Sequence, residues 1–239
     1  MFTEEKRIIR AGCHDLWNAF MVDGATFTAN DIPICPATTD VVPRKLISYA
    51  KAKTLFNERR KTGELDFFKD AYVHFYIDDQ KFDGKRSGIW SEPWKAWEIL
   101  RHFAGIITPD FSTYADFPFP IKCYNTYRMR AFGYWYGKNG GAVINNVRWG
   151  KAETFAYCFD GIPRNSIVAI GTVASGLRNA TNLKNFSAGF RKMLTTLTPQ
   201  IVIVYGSDNY SVFDEVRQEV KIVCFRSEKD LALRSEINE

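Results

Sequence analysis

A parallel α/β fold, barrel-like and built from about seven strands, is predicted by three features of the sequence. Short apolar, β-rich runs alternate with longer helical patterns along the chain. Nearly all of these runs are apolar on both faces, as strands of a sheet covered on both sides must be. The stretches between most of them are long enough to hold the crossover helices that parallel pairing demands. An incomplete TIM-type (β/α) barrel fits this count and length. An open doubly wound sheet is the alternative, since nothing in the pattern requires closure.

The chain is expected to form one α/β domain over residues 1–239. Residues 1–30 form a helical N-terminal cap and 227–239 a frayed tail. The first strand is read in "DIPICPA" (31–37), with a helix following in "PRKLISYAKAKTLF". The second is "AYVHFYIDD" (71–79), then a glycine-containing loop and a helix opened by Pro93 in "PWKAWEILRHF". Proline suits a first helical turn because its missing N–H would have no partner there. The third strand, "GIITPDFS" (105–112), precedes a helix from about Pro120 to Lys138. The fourth is "GGAVI", which continues into the polar "NNVRW" (145–149). A short helix is read in "AETFAYCF", and the fifth strand is "SIVAIGT" (166–172). The amphipathic "NFSAGFRKMLTTL" leads to the sixth, "QIVIVYGS" (200–207), and "YSVFDEVRQE" to the seventh, "VKIVCF" (220–225).

In either architecture ligands bind beyond the carboxyl ends of the strands, so the polar residues there carry the functional reading. The second strand ends in Asp78 and Asp79 and the third in Asp110 and Ser112. The fourth ends in Asn145, Asn146 and Arg148, the fifth in Gly171 and Thr172, and the sixth in Tyr205, Gly206 and Ser207. Alternation allows only one of Asp78 and Asp79 to face inward, and it puts Asn146 and Arg148 on one face. An inward Asp beside Asp110 would make a carboxylate pair for acid/base work or for a divalent metal. The competing role is a salt bridge to Arg148. Asp and Ser at such positions also cap helices and make turns.

On the helix after the third strand, Asn125 and Arg128 are three apart and share a face near the mouth. Arg128 and Arg148 together are suited to grip a phosphate or carboxylate. Arg130 lies on another face, where a surface or inter-helix ion pair is expected. Tyr124, Tyr127, Phe132 and Trp135 read as helix-to-sheet packing. "CFDGIPRNS" reads as turn chemistry, with Asp160 near enough to the mouth to be noted.

Several chemistries are excluded or unsupported. There is no GxGxxG after a strand, no P-loop, no HExxH and no GxSxG. His14, His74 and His102 do not cluster, and mid-strand His74 reads as a core residue. Five scattered cysteines with no CxxC fit reduced, buried thiols and a reducing cytoplasm. The acidic, non-apolar start is no signal peptide, and no run is long enough for a membrane span. A net charge of +5 mildly favours an anionic small molecule or nucleic acid as partner, without a basic arm.

Taken in order, "ITPDFS", "DFPFPIKCYNTYRMRAFG", "VINNVRW", "FAYCFDGIPRNSIVAIGT" and "IVYGS" span roughly residues 105–207. With a weaker likeness from "DIPICPA" onward, they resemble an uncharacterised family of phages, prophages and bacterial mobile elements, a domain of unknown function. The chain departs from that pattern where a proline is expected at Asn145 or Asn146. The resemblance implies a phage-type setting and no particular activity.

The residues themselves lead to an enzyme using Asp78, Asp79 or Asp110 as general base or metal ligand. Asn125, Arg128, Asn146, Arg148, Thr172 and Ser207 then hold a nucleotide, nucleic acid or sugar phosphate. Two other readings stand beside it. One is a non-catalytic accessory protein that binds nucleic acid or a host protein through exposed aromatics such as Trp90 and Trp94. The other is a polar mouth that only specifies the fold.

Overall fold

The computed structural model describes residues 17–63, 68–85, 87–173, 175–228 and 230. Its centre is one seven-stranded sheet: β1 Lys45–Ser48, β2 Phe68–His74, β3 Phe103–Ile107, β4 Val143–Asn146, β5 Ile167–Gly171, β6 Ile201–Tyr205 and β7 Lys221–Phe225. Every neighbouring pair is parallel and the spatial order is the chain order. A doubly wound sheet reverses its strand order at a switch point. This one never does, and it curls into a half-barrel.

Between the strands lie α1 Tyr49–Thr62, α2 Pro93–Leu100, α3 Phe119–Lys138, α4 Ala180–Leu197 and the single turn α5 Ser211–Asp214. Residues Ala152–Ala156, read as a short helix, form a 3₁₀ turn. Helices α2, α3 and α4 follow their expected segments, with Pro93 and Pro120 in first turns. Asn179 caps α4 by accepting from the amides of Thr181 and Asn182.

The second and third strands end sooner than read, at His74 and Ile107, and the first lies elsewhere. "DIPICPA" is no sheet strand; it holds a lone antiparallel bridge between Phe27 and Pro33. Pro33 and Pro36 lack the N–H that a ladder needs. The strand instead lies in "KLIS", read above as the start of a helix. Strand and helix abut without a turn: Ser48 ends β1 and its hydroxyl accepts from the Lys51 amide to cap α1. The expected helical cap is represented between Trp17 and Asn30 only by a 3₁₀ turn, Ala19–Val22. Residues 1–16 and most of the C-terminal tail lie outside the described residues.

Strand alternation sorts the core into layers. On β6, Val202 and Val204 face the helices, while Ile203 and Tyr205 face the concave side. On β5, Val168 and Ile170 face out and Ile167 and Ala169 face in. The convex side packs Phe75, Phe82, Phe132 and Trp135 over the first half of the sheet, and Phe186, Phe190 and Phe213 over the second. β1 and β7 end the sheet unpaired with each other. Glu228 spans the gap at the mouth: its Oε1 accepts from the Ser48 amide at 3.4 Å, and its own amide donates to the Tyr205 hydroxyl at 3.4 Å.

The proline-containing segment runs beside β4. The Cys35 amide donates to the Gly161 carbonyl at 2.8 Å, and Asn145 Nδ2 donates to the Cys35 carbonyl at 3.0 Å. The Thr38 hydroxyl donates to the Gly141 carbonyl and accepts from the Val143 amide. Gly161 holds φ at 71°, and a Cβ there would overlap the Pro33 carbonyl oxygen. Gly161→Ala is therefore expected to destabilise the protein by at least about 1–2 kcal/mol. A urea-midpoint comparison with the parent checks this, and an unchanged midpoint would show that the segment yields freely.

Candidate functional site

The carboxyl ends of β2, β3 and β4 assemble one polar chain. Tyr76, two residues past β2, donates its hydroxyl to Asn146 Oδ1 at 3.0 Å. That bond leaves Asn146 Nδ2 to donate to Asp110 Oδ1 at 2.8 Å. Arg148 Nη1 pairs with the other oxygen, Asp110 Oδ2. The Asn146 amide donates to the Thr108 hydroxyl at 2.8 Å, pinning the loop after β3 to the end of β4. Asn146 and Arg148 thus do lie on one face, and both reach Asp110.

Burial raises the pKa of Asp110, and the charge of Asp79 pushes it further up. Arg148 and the Asn146 hydrogen bond pull the other way. Burial also raises Tyr76 well above the ordinary phenol, with Asp110 adding to it, so the hydroxyl stays a donor at neutral pH. A carboxyl held up by burial and a second carboxylate, yet touching a guanidinium, is suited to exchange a proton.

The other carboxylates do not join this pair directly. Asp78 is exposed and pairs with Lys81 at 3.3 Å, away from the cluster. Asp79 accepts from the Ser112 amide at 3.0 Å and from its hydroxyl at 2.8 Å, which holds the loop after β3. Among the described residues no group of three or more His, Cys, Asp or Glu side chains is placed to hold a metal ion.

The three arginines differ in how far their donors are committed. Arg128 donates Nε and Nη2 to Asn125 Oδ1 and Nη1 to Asp83, and its guanidinium lies 3.9 Å from the Phe111 ring centroid. Asn125 in turn donates to the Ser112 carbonyl. The expected Arg128–Arg148 grip is thus not formed: each of the three Arg128 nitrogens already donates inside the protein. Arg130, read as a surface or inter-helix ion pair, is fully buried. It donates to the carbonyls of Asp160, Asn146 and Cys158 at 2.9, 3.0 and 3.2 Å. It sits at the back of β4 and fastens that strand's end to the turn at 158–160. Arg148, of five N–H groups, commits only Nη1 to a hydrogen bond with a described residue.

That unspent guanidinium lines a cleft of about 250 Å³ together with Asp110. The cleft lies over the ends of β3, β4 and β5, and the first two turns of α4 close one side with Asn182, Asn185 and Phe186. Val147, Ile170 and Leu177 give it an apolar wall, and Lys151 stands at the rim. Thr172 and Ser207 are not among its lining. The Thr172 hydroxyl donates to the Ser207 carbonyl at 2.9 Å and accepts the Ser207 amide at 2.8 Å, a link between the ends of β5 and β6.

Sequence reading missed Tyr76, Tyr114, Thr113 and Lys151. Tyr76 carried a signal, because it shares strand parity with His74 and points to the concave side. Tyr114 carried a weaker one, an aromatic in a loop at a strand end. Trp90, expected to be exposed, is 9% exposed, whereas Trp94 is 55% exposed and stacks on Phe20. Asp160 serves as an anchor, accepting from Thr28 and Asn30 at 2.9 and 2.8 Å.

The fold and site define a singly wound α/β half-barrel with a partly paired acid–arginine cleft at its carboxyl end. The chain belongs to the family described as Domain of unknown function (DUF4417), which it matches over residues 26–225. It is similar to the Gene 1 protein of Mycobacterium phage L5, with 30% identity over 169 residues, covering 70% of this chain and 68% of that protein. It is also similar to the Gene 1 protein of Mycobacterium phage D29, at 32% over 139 residues, covering 58% of this chain and 49% of that protein. The setting is therefore phage-type. No solved structure matches the chain. No helix among the described residues is long and apolar enough to cross a membrane.

Proposed function

We propose that the cleft is the site of an enzyme acting on a small phosphorylated substrate. Arg148 holds the anionic group and Asp110 exchanges a proton with it. The observation that carries this reading is the single commitment of Arg148: it is oriented by Asp110, lines the cleft, and keeps donors to spare. A guanidinium already positioned by a carboxylate loses little freedom when an anion arrives. Asn146 and Tyr76 hold Asp110 in place from the other side. The size of the cleft suits a small molecule better than a duplex, which weighs against the accessory nucleic-acid reading.

The test is calorimetric titration of the full chain with ribose 5-phosphate and inorganic phosphate. Arg148→Ala is expected to weaken binding about 10- to 100-fold, the share of one charge-assisted hydrogen bond at about 1.5–3 kcal/mol. Asp110→Asn removes a negative charge beside the anion, so binding should tighten while turnover of any processed substrate is lost. Wild-type protein that binds neither probe at millimolar concentration would end this reading, as would indifference to Arg148→Ala.

A further inference from the structure

We infer that the ligand of this cleft is a nucleotide, its base laid on the ring of Tyr114. The inference rests on the cleft being an anion site and names the class of molecule it takes.

Tyr114 lines the cleft and is 45% exposed. Its position is nonetheless fixed. The turn from 114 to 117 is closed by the Phe117 amide donating to the Tyr114 carbonyl at 3.0 Å, and Phe117 meets the ring edge-on at 5.4 Å. The Arg148 guanidinium lies 5.2 Å from the ring centroid. A tyrosine held on an arginine and still open to solvent is a stacking platform next to a cationic anchor.

The remaining lining asks for polar groups on the same molecule. Thr113 is 3% exposed, and its hydroxyl has no partner among the described residues. A buried hydroxyl without a partner is costly unless water or a ligand completes it. Lys151 is exposed at the rim, and Asn185 offers an amide from α4. A flat aromatic face, several hydrogen-bonding groups and a phosphate, within a cleft of about 250 Å³, describe a single nucleotide. A bare sugar phosphate would leave the Tyr114 face unused.

The experiment compares adenosine and uridine 5′-monophosphates with ribose 5-phosphate by calorimetric titration of the full chain. Wild-type, Tyr114→Ala, Tyr114→Trp and Arg148→Ala proteins are titrated at fixed ionic strength. At least one nucleotide is expected to bind about tenfold or more tightly than ribose 5-phosphate, the size that base–aromatic stacking supplies. Tyr114→Ala should erase that advantage, weakening the nucleotides more than ribose 5-phosphate, Tyr114→Trp should keep it, and Arg148→Ala should weaken all three probes. If nucleotides bind no better than ribose 5-phosphate, or Tyr114→Ala changes nothing while Arg148→Ala still weakens binding, the anion site stands and the nucleotide inference is overturned. If none of the probes binds wild-type protein, both readings fall together.

Discussion

Replacing Arg130 with methionine is expected to destabilise the protein by about 3–5 kcal/mol, because it orphans two or three buried carbonyls at about 1–3 kcal/mol each. The acceptors are the carbonyls of Asn146, Cys158 and Asp160, and the side chain between them is fully buried. Burial pulls the Arg130 pKa down to about 10, so the group remains charged at neutral pH and its hydrogen bonds stay charge-assisted. Arg130→Lys should recover only part of the loss, since an ammonium cannot reproduce the planar fork across three carbonyls. Urea unfolding of the three proteins checks this. A methionine variant within about 1 kcal/mol of the parent would mean that the end of β4 is held by something else.

The second large effect is expected at acid pH, through His74. Its ring is fully buried, centred 4.0 Å from that of Tyr205, and its Nδ1 accepts the Tyr76 amide at 3.2 Å. The neutral ring therefore carries its proton on Nε2, which has no hydrogen-bond partner among the described residues. Burial depresses the folded pKa from 6.5 to about 3. Below about 6.5 the unfolded chain takes up a proton that the folded chain refuses. Stability should then fall with pH by up to about 1.4 kcal/mol per unit between those two values. His74→Phe keeps a ring against Tyr205 and removes the titration. Its loss of the Tyr76 amide acceptor is a constant offset, the same at every pH. The stability difference between the two proteins should narrow or reverse from pH 7 to pH 4.5. Parallel curves over that range would refute the assignment.

Much of the fold was legible because burial on both faces leaves a plain signature. "SIVAIGT", "QIVIVYGS" and "VKIVCF" are uninterrupted apolar runs bounded by turn residues, and each contains its strand with one to three residues to spare. The first strand was not legible. "KLIS" is four residues long and passes into α1 with no intervening turn, so helical periodicity swallowed it. "DIPICPA" is apolar for another reason: it packs between the sheet and α3 as an irregular segment. Cys35 is fully buried, and a Cβ on Gly133 would press against its Sγ.

The candidate site was legible in part. Strand parity alone put Asn146 and Arg148 on one face, and both touch Asp110. Parity said nothing of Asp78 against Asp79, because the chain leaves strand geometry before either residue and enters a 3₁₀ turn at Asp79. Nor did it separate three arginines on neighbouring elements. Arg128 and Arg130 are two apart on one helix, yet one packs on Phe111 and the other is buried behind β4.

The sequence by itself determined a parallel α/β chain, most of its strands, and a ring of polar residues at their carboxyl ends. Those properties follow from local periodicity, which encodes which side of an element is buried. The tertiary structure decided that the sheet is singly wound, and it decided which arginine keeps free donors. It also decided that Tyr76 and Tyr114, rather than Asp78, stand beside Asp110 and Arg148. Those outcomes depend on contacts between residues 30 or more positions apart, as with Arg130 and Asp160 or Asp110 and Arg148. The curl and register of the sheet set such contacts, and no short stretch of chain encodes them.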